Sequence, residues 1–331
     1  MATLRVGFDV SPLSQTRAGT ARYIGGLAAA LAEEPGLELR RYSFGGGGRL
    51  AAAARDAVWY PAVLPARAAR GRVDVLHCPT FRAPLRSPMP LVVTFHDVAV
   101  LRQPEAFNAW TRRYSALTLP WIARAARAII AVSEFTKREV IDLLDVPEEK
   151  IRVIPNAVAP VFRQDGPAGD GDYVLAVSTL EPRKNLETLT TAFARADLDG
   201  CELRVVGAHG WGGVSVNGER VRHLGFVPDD ELARLYRGAR CVAYVSRYEG
   251  FGLPVLEALA CGAPVVAADL PAIREFADDA IVAVDPADPD AIAAGLEQAV
   301  ASPTRVGLAA LEYGWPDAAT ATLAVYREVA A

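Results

Sequence analysis

Short apolar, β-branched runs alternate with segments of helical periodicity along the whole chain, in two successive blocks. In the first half, residues 4–8, 37–44, 73–77, 91–95 and 128–132 read as strands, with helical patterns such as 20–33 and 105–127 between them. In the second half, strands are expected at 173–178, 202–206, 221–224, 241–245 and 264–267, and helices at 186–196, 230–238, 254–260 and 291–301. Continuous apolar strands alternating with helices predict parallel sheets covered on both faces. Two such blocks in series predict two doubly wound α/β domains, with the break at residues 165–172, where Gly, Pro and Asp cluster. Ligands of open parallel sheets bind beyond the carboxyl ends of the strands, which picks out Asp9, His96, Ser178, Gly207 and Glu249.

Composition narrows the class. Of 331 residues, 51% are apolar and 22% charged, as in a soluble globular protein with room for two ordinary domains. No apolar run approaches the ~20 residues that span a bilayer, and residues 1–10 read as the first strand, not as a signal peptide. Cys78, Cys201, Cys241 and Cys261 are scattered and form no CxxC pair. Buried thiols in a reducing cytoplasm are the better reading than a disulfide framework or zinc site. The net charge of −4 hides an asymmetry: residues 1–165 hold 22 Lys/Arg against 15 Asp/Glu, and residues 166–331 hold 13 against 24. A basic first half suits anionic lipid or a phosphorylated acceptor, or is arginine spread over an ordinary surface. Nucleic acid is disfavoured, since no aromatic stacking motif interleaves the basic residues.

The segment 249–257, EGFGLPVLE, is the densest in chemistry. Pro254 suits a first helical turn, and Gly250 and Gly252 let backbone approach a ligand where a helix N-terminus offers free N–H groups. Glu249 precedes the turn and Glu257 lies about one turn into the helix, an arrangement for a phosphorylated, hydroxyl-rich ligand. A nucleotide sugar is such a ligand. In residues 178–185, STLEPRKN, Asn185 is placed to cap the next helix, with Arg183 and Lys184 beside its N-terminus as a diphosphate clamp; an exposed loop of solvated charges is the plainer alternative. His96 ends a strand, where it can donate to a sugar hydroxyl or a departing phosphate, or pair with Asp97 at a surface. His77 ends another strand in a less polar context and reads as a core histidine or one supporting a site; His209 and His223 belong to no constellation. Gly19, between the first strand and helix, fits a phosphate or acceptor loop as well as a plain turn. Two decoys fall away. The glycine run 45–48 lacks the third glycine of a dinucleotide fingerprint, Leu50 standing in its place. Asp288-Pro289-Asp290 mimics a DxD metal motif but sits in a turn where Asp290 reads as an N-cap.

Taken together, EGFGLPVLEALACGAPVVAADLPAIREF is similar to the E-x7-E region of family 4 retaining glycosyltransferases, and TLEPRKNL resembles their diphosphate loop. TFHD, VIPNAV, VGAHGWGG and LGFVPDDELARLY are further matches. The resemblance implies an α/β architecture of two Rossmann-like doubly wound domains facing across a cleft, the GT-B fold. Residues 1–165 would form the acceptor side, joined by a C-terminal helix over 317–331, and residues 166–316 the nucleotide-sugar donor side. It implies that Arg183 and Lys184 bind the donor diphosphate, that Glu249 contacts the transferred sugar, and that Gly250, Phe251, Gly252 and Leu253 hold sugar and phosphate by their backbone. Glu257 would bind ribose, Val227 with Phe226 would receive the base, Ser178 would line the donor site, and His96 would reach the sugar or phosphate. Gly19-Thr20-Ala21-Arg22-Tyr23 resembles the GIGRY-like loop of mannosyltransferase-type members, with Ala21 where glycine is usual.

The expected function is a cytoplasmic, retaining, metal-independent glycosyltransferase that needs no cofactor. It would move a hexose, mannose from GDP-mannose, onto a glycan or lipid-linked acceptor. The same chemistry with UDP-glucose or a deoxyhexose nucleotide is the alternative donor, and an inactive nucleotide-sugar-binding protein is the alternative of another class. A B-type-fold epimerase matches the motifs less well, and an NAD oxidoreductase is disfavoured by the broken glycine fingerprint. Peripheral contact with an anionic membrane is a further expectation, on a helix over 105–127 carrying Trp110, Trp121 and five nearby arginines, set against an internal helix packed on the sheet.

Overall fold

The structure, a computed structural model, describes residues 3–46, 48–301 and 312–331; Gly47 of the glycine run lies outside them. The chain divides into two compact units, one of Met1–Arg102, Ala109–Ala157 and Gly314–Ala331, the other of Gln103–Asn108 and Val158–Tyr313.

The first unit contains β1 (Leu4–Asp9), α1 (Gly19–Ala32), β2 (Leu37–Tyr42), α2 (Arg49–Ala54), a π-helical turn (Arg55–Val63) and α3 (Leu64–Arg70). β3 (Val75–Cys78), β4 (Leu91–Phe95), α4 (Ala99–Arg102), α5 (Ala109–Ala125), β5 (Ala128–Ala131), α6 (Glu134–Leu144) and β6 (Ile151–Val153) follow. All its strands are parallel, in the order β2-β1-β3-β4-β5-β6. The helix expected over 105–127 is broken. Pro104 disfavours helical backbone at Gln103, whose φ of −130° and ψ of 61° end α4, and helix resumes at Ala109. α5 buries Ser115, Leu119, Ile122 and Ala123 and leaves Trp110, Leu117 and Trp121 exposed on its other side.

The second unit contains β7 (Tyr173–Val177), α7 (Leu186–Arg195), β8 (Glu202–Val206), β9 (Val221–Gly225), α8 (Asp229–Gly238), β10 (Cys241–Tyr244), α9 (Leu253–Ala260), β11 (Val265–Ala268), α10 (Pro271–Ala277), β12 (Val282–Val284) and α11 (Pro289–Ala301). Its parallel strands run β12-β11-β10-β7-β8-β9, the order of a classic Rossmann sheet, with the reversal between β7 and β10. Successive side chains on β7 point to opposite faces: Leu175 and Val177 pack with α8 and α9, while Val174 and Ala176 pack with α7 and α11. Upstream of the Gly/Pro/Asp cluster, Phe162 meets the ring of Tyr236 edge-on at 5.9 Å and belongs to this core.

The final helix, α12 (Trp315–Ala330), is part of the first unit. Trp315 packs edge-on against Tyr23 at 5.9 Å, and Arg152 pairs with Glu328 at 2.5 Å. All four cysteines are free and buried. Among the described residues no helix is long and apolar enough to cross a membrane.

Two expected caps are corrected. Asn185 makes no side-chain cap; its backbone is left-handed, with φ of 60°, and its amide serves another purpose described below. Asp290 lies inside α11, and the cap is Asp288, whose Oδ1 accepts from the N–H groups of Asp290 and Ala291 at 2.9 and 3.2 Å.

Candidate functional site

The loops leaving β7 and β10 flank the strand-order reversal of the second unit, where a parallel sheet opens a crevice at its carboxyl edge. Ser178 follows β7, and its buried hydroxyl has no hydrogen-bond partner among the described residues. Next to it, Gly207 has φ of 148°, and a Cβ there would fall inside the Ser178 carbonyl. Only glycine lets β8's exit pass so close. Glu181 is buried and accepts from Arg183 Nη2 at 3.0 Å and Thr179 Oγ1 at 3.1 Å. Arg183 also donates through Nη1 to the Tyr248 carbonyl at 3.1 Å.

The β10–α9 loop is tied to this first loop. Asn185 Nδ2 donates to the carbonyls of Val245 (3.0 Å) and Pro286 (2.7 Å), while its Oδ1 accepts from Arg247 Nε (3.0 Å) and Thr188 Oγ1 (2.7 Å). The amide is thus a clasp between loops, which explains why it does not cap α7.

Glu249 sits between the two cations. Lys184 Nζ is 2.6 Å from Oε1 and Arg183 Nη1 is 3.5 Å from Oε2. Lys184 also donates to the Tyr244 hydroxyl at 3.2 Å and lies 5.4 Å from that ring's centroid. Burial alone would push the Glu249 carboxyl up, but the charges of Lys184 and Arg183 and the hydrogen bond from Lys184 outweigh it and hold it down at about 2. The carboxylate therefore stays charged and fixed.

Beyond Glu249, Gly250 and Phe251 are buried, and Phe251 stacks on Phe276 with centroids 4.9 Å apart. Gly252, with φ of 105°, begins α9 ahead of Leu253 and faces Ile273 closely. One turn on, Glu257 is buried and accepts from the Tyr236 hydroxyl at 3.1 Å. After β9, Phe226 is 44% exposed and Val227 half-buried on the same core. Ser178, Arg183, Lys184 and 249–253 thus gather around the reversal, with Glu257 behind them. Sequence reasoning missed Glu181, Tyr244 and the clasp role of Asn185; Glu181, two residues before Arg183 in a strand-to-helix loop, was the available signal.

His96 and Gly19 belong to the first unit. His96 ends β4, donates from Nε2 to the Pro79 carbonyl at 2.9 Å, and meets the ring of Tyr23 edge-on at 4.6 Å. That bond orients the ring and leaves Nδ1 as the acceptor of a neutral imidazole, a form that burial favours by lowering its pKa. Asp97 accepts from the Ala99 N–H at 3.0 Å. Gly19 opens α1, the helix that carries Tyr23. His77 is a core histidine, bonded to Tyr326 (2.5 Å) and Thr94 (2.9 Å), and burial holds its pKa near 3. Among the described residues no group of three or more His, Cys, Asp or Glu is placed to hold a metal ion.

Residues 17–161 match glycosyltransferase family 4, and residues 160–310 match glycosyl transferases group 1. The O-antigen chain mannosyltransferase B of Escherichia coli is 34% identical over 283 residues, which are 76% of this chain and 74% of that protein. The serotype-specific mannosyltransferase WbdA of Escherichia coli is 28% identical over 180 residues, 45% of this chain but 22% of that longer protein. Among solved structures, sucrose-phosphate synthase from Thermosynechococcus elongatus superposes with a TM-score of 0.72 at 18% identity, covering 99% of this chain and 96% of that one.

Proposed function

This chain is a glycosyltransferase of family 4 with the two-domain, Rossmann-like GT-B fold, and from that premise we propose that it moves mannose from GDP-mannose onto a glycan or lipid-linked sugar, with retention of anomeric configuration and no requirement for metal. The observation that carries this reading is the arrangement of Arg183 and Lys184 around Glu249 at the β7/β10 reversal. Two cations held at a sheet's carboxyl edge suit a nucleoside diphosphate. They supply at the leaving group the positive charge that a divalent ion supplies elsewhere, which supports metal independence. The mannose donor draws its support from the two mannosyltransferase relatives.

In this reaction the bond between the sugar C1 and the diphosphate oxygen breaks, and its electron pair goes to the diphosphate between Arg183 and Lys184. The acceptor hydroxyl oxygen bonds to C1 on the same face, and its proton passes to the departing phosphate. Glu249 orients the sugar hydroxyls, Glu257 takes the ribose, the 250–253 backbone holds sugar and phosphate, and Ser178 and Val227 line the site. His96 and Gly19 are assigned to the sugar and its phosphate.

The exposed face of α5 supports a peripheral contact with anionic lipid. Trp110, Leu117 and Trp121 stand beside exposed Arg112, Arg113 and Arg124, the pairing of apolar and basic side chains that an anionic bilayer surface attracts. Flotation with anionic vesicles should carry the protein upward, and Trp121→Ser with Leu117→Ser should abolish it; no flotation of the unmodified protein removes this contact.

The enzyme reading is tested by thermal shift against GDP-, UDP-, dTDP- and ADP-sugars without metal. Selective stabilisation by GDP-mannose, lost in Arg183→Ala, is the expected result. Stabilisation by a different nucleotide sugar would replace the donor, and none by any would overturn the site.

A further inference from the structure

The first unit has its own strand-order reversal, between β1 and β3, and the crevice rule applies there too. Asp9 ends β1, and Arg82 lies in the segment that leaves β3. The π-helical turn Arg55–Val63 reaches the same place. Its burial repeats in pairs, with Arg55 and Asp56 buried, 57 and 58 exposed, and Trp59 and Tyr60 buried again. The i→i+5 winding of a π-turn keeps those two pairs on one side, and Pro61, which lacks an N–H, sits inside it. Wide turns of this kind recur at functional sites.

The polar atoms gathered here are unevenly matched. Asp9 is saturated: Oδ1 accepts from the Ser11 N–H (3.1 Å) and from the Ser11 hydroxyl, and Oδ2 from the Tyr60 hydroxyl (3.1 Å). Asp56 is likewise occupied, by Arg82 Nη1 on Oδ1 and by Trp110 Nε1 on Oδ2 at 3.4 Å. Arg55 is left over. Its side chain is 7% exposed, its nearest carboxylate atom is Asp56 Oδ1 at 4.0 Å, and Nε has no hydrogen-bond partner among the described residues. Burial and the neighbouring charge of Arg82 both lower its pKa, as expected of a guanidinium short of acceptors. Arg82 keeps 19% of its side chain exposed and lies over the Tyr114 ring at 5.1 Å. A guanidinium whose Nε is buried without an acceptor is costly, so a ligand that brings acceptor oxygens would be rewarded.

Resting on the glycosyltransferase reading, we infer that the β1/β3 reversal is an acceptor subsite in which Arg55 and Arg82 hold an oxyanion carried by the acceptor, with Tyr60, Trp110 and Tyr114 as its aromatic surroundings. The acceptor is thus an anionic saccharide. Its charge is either a phosphate ester, as on a lipid-linked sugar, or the carboxylate of a uronic acid.

Calorimetric titration of the full chain tests this, with a saturating nucleoside diphosphate present to occupy Arg183 and Lys184. N-acetylglucosamine 1-phosphate, glucuronic acid and neutral N-acetylglucosamine are the probes. One anionic probe should bind at least ~10-fold tighter than the neutral sugar, and which one does so identifies the source of the charge. Arg55→Gln and Arg82→Gln should each erase that preference while leaving the thermal shift given by the nucleoside diphosphate unchanged. If Arg55→Gln fails to fold, the partly exposed Arg82→Gln decides alone. Equal binding of neutral and anionic probes, no binding of either anion, or a preference that survives both substitutions overturns the subsite. Loss of the nucleotide shift in the unmodified protein would instead overturn the donor site of the second unit, and the arginine comparison would still be read.

Discussion

Lys184 Nζ lies 2.6 Å from Glu249 Oε1, so the cation assigned to the donor's phosphate is already held by the carboxylate assigned to its sugar. Each residue fixes the other before any ligand arrives, Glu249 buried and the Lys184 side chain 11% exposed. Removing Lys184 leaves the carboxylate with Arg183 Nη1 at 3.5 Å as its remaining cation. Lys184→Ala is expected to cost about 1–3 kcal/mol in unfolding free energy and to lower turnover by about 10²–10³-fold. Lys184→Ala combined with Glu249→Ala should destabilise less than the sum of the two single changes, a non-additivity that urea titration of all four proteins would measure.

Acid should expose the same pair. The Glu249 carboxyl, ordinarily near 4.5, is held at about 2 in the folded chain. Between those values the unfolded state binds more protons than the folded one, so stability falls as pH drops through that window. Urea midpoints of the unmodified protein and Glu249→Gln should therefore differ at pH 6 and converge toward pH 2; parallel curves would count against the assigned shift.

Gly207→Ala should act on the donor loop without touching a ligand. Its φ of 148° and the nearness of the Ser178 carbonyl leave no room for a methyl group. The expected outcome is displacement of residues 178–184, with donor affinity reduced ~10-fold or more by misplacement of Arg183 and Lys184. A nucleotide-sugar titration showing wild-type affinity would contradict this.

His77 links α12 to the first sheet, bonding Tyr326 on one side and Thr94 on the other. Its pKa of about 3, against an ordinary 6.5, keeps it neutral. The unfolded chain takes up its proton first, so stability is lost as pH falls from 6.5 toward 3. Tyr326→Phe should cost about 1–3 kcal/mol by leaving His77 Nδ1 buried without a partner. His77→Gln should flatten the pH dependence over that window in chemical denaturation.

Much of this was legible in the pattern of residues. Strands at 91–95 and 202–206 fall where the apolar runs place them: the first is buried on both faces, which leaves little other composition available, and the second carries Glu202 and Arg204 at its half-buried positions. The rule for strand ends picks out Ser178 and Glu249, and the helix start after Ser178 adds Arg183 and Lys184 to the same sheet edge. Local signals failed where a side chain was recruited by something distant. Asn185 precedes a helix and looks like a cap, yet Val245, Pro286 and Arg247 claim its amide. Asp290 reads as the cap of α11, but Asp288 satisfies the free N–H groups instead. The π-turn over 55–63 gave no warning, since buried pairs four residues apart have the spacing of an ordinary helical stripe.

Because Trp315–Ala330 belongs to the first unit, the 158–313 stretch, which makes up all of the second unit but Gln103–Asn108, is threaded into the chain as a guest within a host. On the ribosome the order of completion therefore inverts the order of synthesis. The second unit has all the strands of its described residues once residue 284 has emerged, whereas the first, begun at Leu4, must wait for Tyr326 to reach His77.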